Sequence, residues 1–166
     1  MKLLSTLLLG LILSFSSPSN FIEKNSLSPE IVLNNTKGVE VRLSSLHGKI
    51  VLIDFWASWC RPCRTRHPEL VSVYNQFKDS KFKKGSRFDL FSVSLDKNKE
   101  AWLRAIKQDK LTWKNHVSDL KGWNSDVVKT YDVRGIPMNV LIDENGKIIA
   151  TNLYGDQLRK VLTSLL

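Results

Sequence analysis

Residues 49–63 read KIVLIDFWASWCRPC, and the fold turns on them. The first eight are a nearly unbroken apolar run, the pattern of a strand buried on both faces of a sheet. Past Cys60 the periodicity changes. Leu70, Val71, Val73, Tyr74 and Phe77 recur at helical spacing, and Pro68 among them predicts a kink. The cysteines therefore fall where a strand hands over to a helix. Open α/β sheets present their sites at that strand edge, and a helix N-terminus offers unpaired N–H groups and partial positive charge. Cys60, at that terminus, is expected to be an exposed nucleophile of lowered pKa. Cys63, one turn further in, is expected to be shielded yet within disulfide reach. Pro62 suits a first helical turn, where its missing N–H costs nothing. Arg61 adds positive charge beside the sulfur.

Working outward, residues 31–33 and 39–43 predict a short hairpin turning at residues 34–38. Residues 87–95 predict a second strand, 100–108 a helix carrying Ala101, Trp102, Ala105 and Ile106, and 125–131 a shorter helix. Residues 138–143 and 147–151 predict a hairpin around Glu144-Asn145-Gly146, and 155–166 a closing amphipathic helix. This order implies an α/β sandwich around a mixed sheet.

The 166 residues suffice for one domain and a targeting segment. Lys2, the apolar run 3–15 and the small residues around Phe15 predict a signal peptide over 1–17. An uncleaved signal would instead serve as a membrane anchor. No cysteine follows the apolar run, which argues against a lipoprotein. Residues 18–30, rich in Ser, Pro and Asn, are expected to be a linker, and 31–166 the domain. An exported chain meets an oxidising compartment, the periplasm or the extracytoplasmic face of a membrane. The net charge is +9, with basic residues clustered from Lys78 to Arg87 and again at Lys97, Lys99 and Arg104. No stacking aromatics interleave them and no nucleic-acid motif accompanies them, so a solvated basic face is expected and nucleic acid is not, with contact to lipid headgroups or an acidic partner left open.

Three blocks resemble the thioredoxin superfamily, in its exported TlpA/ResA-like branch: VRLSSLHGKIVLIDFWASWCRPC (41–63), TYDVRGIPMNVLIDENGKII (130–149) and the closing helix. The long insertion between Leu95 and Tyr131 is similar to that branch too. The resemblance implies a thioredoxin-like sandwich and a monomeric thiol–disulfide oxidoreductase working without a cofactor or metal. Its implied substrates are disulfides of exported proteins, apocytochrome c among them, with a membrane thiol-transfer protein as electron donor. It further implies that Cys60 and Cys63 are the redox couple and that Asp54 accepts the Cys63 proton. Pro137 would be cis and face the cysteines, the Ile136 backbone would bond an extended substrate, and Trp59 would cover one side of the disulfide. Two positions depart from the pattern. Arg66 and His67 stand where an acid is common, and Met138 stands where Thr usually follows the proline.

Other readings remain open from the residues themselves. Cys60 and Cys63 with two of His47, His67 and His116 would make a zinc site, although zinc knuckles place such a pair in a turn. A structural disulfide on a non-enzymatic peptide-binding module is a second alternative. A thiol peroxidase is disfavoured by Ala57-Ser58-Trp59 ahead of the cysteine. Asp54 could simply be a hydrogen-bonded core acid. His67 is expected to face solvent, and Trp102, Trp113 and Trp123 are expected to pack in the core or the insertion.

Overall fold

The computed structural model describes residues 22–166. The expected signal segment and the start of the expected linker lie outside the described residues. Strands β1 (Val32–Asn34) and β2 (Glu40–Arg42) form the expected antiparallel hairpin. A 3₁₀ turn, Leu43–Leu46, then sends the chain into β3 (Ile50–Trp56), whose seven residues are all buried. Helix α1 (Arg61–Phe77) returns the chain to β4 (Phe88–Ser94), parallel to β3, and α2 (Lys99–Gln108) leads on to β5 (Asn115–Val117), parallel to β4. After α3 (Asp126–Thr130), β6 (Met138–Ile142) pairs antiparallel on the other side of β3. β7 (Ile148–Thr151) follows, and α4 (Gly155–Ser164) closes the chain. The strand order is β5-β4-β3-β6-β7, a thioredoxin-like mixed sheet.

The alternation of β3 builds both core layers. Ile50, Leu52 and Trp56 pack with Val73, Phe77, Trp102, Leu158 and Leu162, while Val51, Ile53 and Phe55 pack with Ile31, Leu43, Val93, Tyr131 and Val140. Asp54 shares the parity of Leu52 and Trp56, so its side chain points toward α1. Burial of β3 on both faces is what the unbroken apolar run requires.

Pro68 lies inside α1, which runs on through it. Two local outcomes differ from expectation. β5 has only three residues and too little pattern to be read from sequence. Residues 22–30 lie on the domain: Asn25 and Ser28 donate to the carbonyls of Ile148 and Gly146 at 2.8 Å, and Ile148 donates back to Ser26 at 2.9 Å. The Tyr131 hydroxyl donates to the Pro29 carbonyl. The polar composition reads as linker, but the backbone supplies partners that the edge strand lacks.

Candidate active site

Cys60 is the N-cap of α1, and its Sγ accepts the Cys63 N–H at 3.2 Å. The two sulfurs are bonded, 2.00 Å apart, with the Cα atoms separated by 5.3 Å. The loop that delivers them is tied to the end of β4. Ser58 donates its N–H and hydroxyl to the Asp96 carboxylate at 2.9 and 2.5 Å, and Ser94 donates to the same group at 2.7 Å. The expectation of an exposed Cys60 is corrected: it is 4% exposed and Cys63 2%. In the disulfide the Cys60 sulfur turns toward Cys63, and the Ile136 carbonyl oxygen stands 3.8 Å from it. Trp59, beside it in the chain, is 55% exposed.

The Ile136–Pro137 peptide is cis. Among the described residues, no backbone group bonds to the Ile136 N–H or carbonyl. The Tyr154 hydroxyl donates to the Pro137 carbonyl at 2.8 Å, and the Arg66 guanidinium lies 4.0 Å above the Tyr154 ring. Arg66 thus braces the proline segment from α1 through a cation–π contact.

Behind the disulfide lies a cavity of ≈ 30 Å³ lined by Asp54, Cys63, His67, Pro137, Asn139 and Tyr154 among others, room enough for a water. Asp54 is paired in register with Ser92 on β4 and Asn139 on β6. Both polar neighbours are committed elsewhere. Ser92 accepts the Trp113 indole N–H at 2.9 Å, and Asn139 bonds both the N–H and the carbonyl of Leu153. Asp54 Oδ2 is left buried without a partner, and burial pushes its carboxyl up to about 7.

His67 is not on a solvent face. It is 2% exposed, packed edge-on against Trp56 with centroids 4.8 Å apart, and its Nδ1 lies 2.6 Å from Asp109. Arg64 makes a two-pronged contact with the same carboxylate, at 2.5 and 2.7 Å. Burial pushes the His67 imidazole below its usual range in spite of Asp109. Burial alone would raise the Asp109 carboxyl, but the hydrogen bonds from Arg64 and His67 hold it low. His67 is therefore a neutral donor to Asp109 at pH 7, with its Nε2 lone pair unpartnered. His116 is buried in the layer beyond, stacked on Trp113. Among the described residues no cluster of His, Cys, Asp and Glu could hold a metal ion. No helix among them is long and apolar enough to cross a membrane.

The thioredoxin-like family model matches residues 48–148. The chain belongs to the thioredoxin-like family. Within it, the thiol-disulfide oxidoreductase ResA of Bacillus cereus is 29% identical over 152 residues, covering 92% of this chain and 82% of that protein. ResA of Bacillus thuringiensis is 30% identical over 139 residues, covering 84% and 74%. Among solved structures, the thioredoxin domain of a thiol-disulfide oxidoreductase from Bacteroides vulgatus aligns with a TM-score of 0.76 at 39% identity, covering 87% of this chain and 99% of that one. One from Bacteroides fragilis gives 0.75 at 34% identity, covering 85% and 100%. Fold, cysteine pair and relatives agree on a thiol–disulfide oxidoreductase. In this thioredoxin-like enzyme the sequence named Asp54, Trp59, Cys60, Cys63, Ile136 and Pro137. It did not point to Asp96, Asp109 or Tyr154, whose only signal is proximity in the fold. Trp102 and Trp113 are buried as expected, whereas Trp123 is exposed, its ring 6.5 Å from that of Trp59.

Proposed function

We propose that the protein is a reductase of disulfides in exported proteins, acting outside the cytoplasm, with apocytochrome c as one substrate and a membrane thiol-transfer protein as its reductant. The observation that carries the reading is the buried, unpartnered carboxyl of Asp54 sharing a cavity with Cys63. In the reduced protein the Cys60 thiolate, favoured by the α1 N-terminus, attacks a substrate disulfide. One substrate sulfur leaves as a thiolate and a mixed disulfide forms. Cys63 then gives its proton to Asp54, directly or through a cavity water, and attacks the Cys60 sulfur. The second substrate sulfur leaves as a thiolate, and the protein is left with the Cys60–Cys63 bond, oxidised by two electrons, and with the proton on Asp54. The free Ile136 backbone groups suit an extended substrate segment, Pro137 keeps that segment beside the sulfurs, and Trp59 flanks it.

Cys60→Ser is expected to abolish insulin-disulfide reduction, and Cys63→Ser to accumulate mixed disulfides with substrate. Wild-type turnover in Cys60→Ser would refute the assignment. The reduction potential decides direction: a value near that of thioredoxin, about −270 mV, supports a reductase, and one near about −120 mV makes the protein an oxidant.

A further inference from the structure

Of the large apolar side chains exposed among the described residues, two are aromatic, Trp59 and Trp123, and they are neighbours. Trp59 is 55% exposed and Trp123 42%, with centroids 6.5 Å apart and planes tilted by 49°. That separation is within the range of direct aromatic contact, so the rings touch and leave no slot for a third ring between them. Together they present one continuous apolar surface. Its position is set by Trp59, which precedes the reacting Cys60 in the chain.

Trp123 reaches this place because the insertion is pinned. The Ser118 hydroxyl donates to the Ser94 carbonyl at the end of β4, at 2.8 Å, and accepts the Leu120 N–H at 3.1 Å. Asp119 accepts the Lys121 N–H, and Ser125 donates to the Gly122 carbonyl at 3.1 Å. Gly122 has φ +60°, and a Cβ there would lie 2.9 Å from Lys97 Cε and 3.4 Å from the Leu95 carbonyl. Glycine adopts that conformation without strain, and a larger residue there would have to displace the Lys97 side chain. The 3₁₀ turn Gly122–Asn124 is thus held against the β4 end, and its tryptophan points outward instead of into the core that holds Trp102 and Trp113.

We propose that Trp59 and Trp123 form a preorganised aromatic platform for an extended protein segment whose disulfide cysteine is flanked by an aromatic side chain, with Trp123 determining that specificity. The proposal rests on the dithiol–disulfide reading above. A substrate sulfur must approach Cys60, so residues next to the substrate cysteine are brought over the surface that adjoins Trp59. A groove lined by Asp132, Arg134, Gly135, Ile136, Pro137, Met138 and Asn152 reaches the disulfide through the Ile136 carbonyl, 3.8 Å from the Cys60 sulfur, and holds no aromatic ring. Extended-peptide recognition combines main-chain bonding with selection of neighbouring side chains, and here the aromatic pair is what can select.

The test uses two peptides, identical except for Trp or Ser beside the cysteine, each carried as a mixed disulfide with glutathione, with dithiothreitol as the recycling reductant. In the wild-type protein kcat/KM for the Trp peptide should exceed that for the Ser peptide by roughly 3- to 10-fold. Trp123→Ala should bring the ratio close to one, and Trp123→Phe should retain most of it. Because both peptides are compared on the same variant, partial loss of folded protein does not move the ratio. A wild-type ratio near one, or a ratio that Trp123→Ala leaves in place, would overturn the proposal. Wild-type protein inert toward glutathione disulfide as well as both peptides would remove the redox reading itself.

Discussion

Asp54 is a carboxyl whose strand neighbours have both been engaged by others. With Ser92 turned to Trp113 and Asn139 turned to Leu153, nothing polar from the sheet offsets its burial, and its pKa rises to about 7. Below the ordinary carboxyl value of 3.8 the folded and unfolded chains both hold the proton, and Asp54 contributes nothing to stability. Between 3.8 and about 7 only the folded chain holds it, so stability falls as pH rises; above 7 the loss is complete. Asp54→Asn should therefore make the oxidised protein more stable at pH 8, by on the order of 4 kcal/mol, and have far less effect at pH 4, as read by urea unfolding. The same substitution should slow resolution of a mixed disulfide by on the order of 10²-fold and remove the rate inflection near pH 7. A variant that resolves at the wild-type rate would end the proton-acceptor role. The cysteines were legible because spacing and a strand-to-helix switch are local signals. The isolation of Asp54 and the burial of His67 were not, since they depend on partners contributed by distant strands and by the end of α2.

Helix α1 owes its orientation to ties at several points along its length. Its entry is fixed by Ser58 on Asp96, its first turns by Arg64 and His67 on Asp109 at the C-terminal end of α2, and its outer face by Arg159 of α4, which donates to Ser72 at 3.1 Å. Asp109→Ala leaves two buried or half-buried donors without an acceptor and should cost about 2–3 kcal/mol in chemical denaturation. Asp109→Asn, which keeps an acceptor oxygen, should recover part of that loss. The long elements were readable from period alone: the continuous apolar run of β3, the helical stripe of α1 and the Asn-Gly hairpin joining β6 to β7 all formed where expected. β5 escaped because three residues carry no period, and its place at the sheet edge is decided by pairing with β4. Pro68 lies within α1, which packs against α4 and the sheet.

The molecule does not rely on its disulfide for its fold. The bond joins residues three apart in sequence and closes a small loop beside a core of two full layers. On chain-entropy grounds it is worth about 2 kcal/mol, against the larger values of long-loop bridges. The dithiol form should stay cooperatively folded and lose no more stability than that, in urea unfolding with and without reductant. Collapse on reduction would favour a structural bond over a redox couple. Lys81, Lys83, Lys84 and Arg87 are exposed and Lys78 is half-buried. The stretch from Asn25 to Ser28 has a separate consequence, because it lies along the outer margin of β7 like a selvedge on cloth. A shortened chain starting at residue 31 would bare that margin and offer it to other chains. Such a protein should migrate as multimers in size-exclusion chromatography while the longer one remains dispersed.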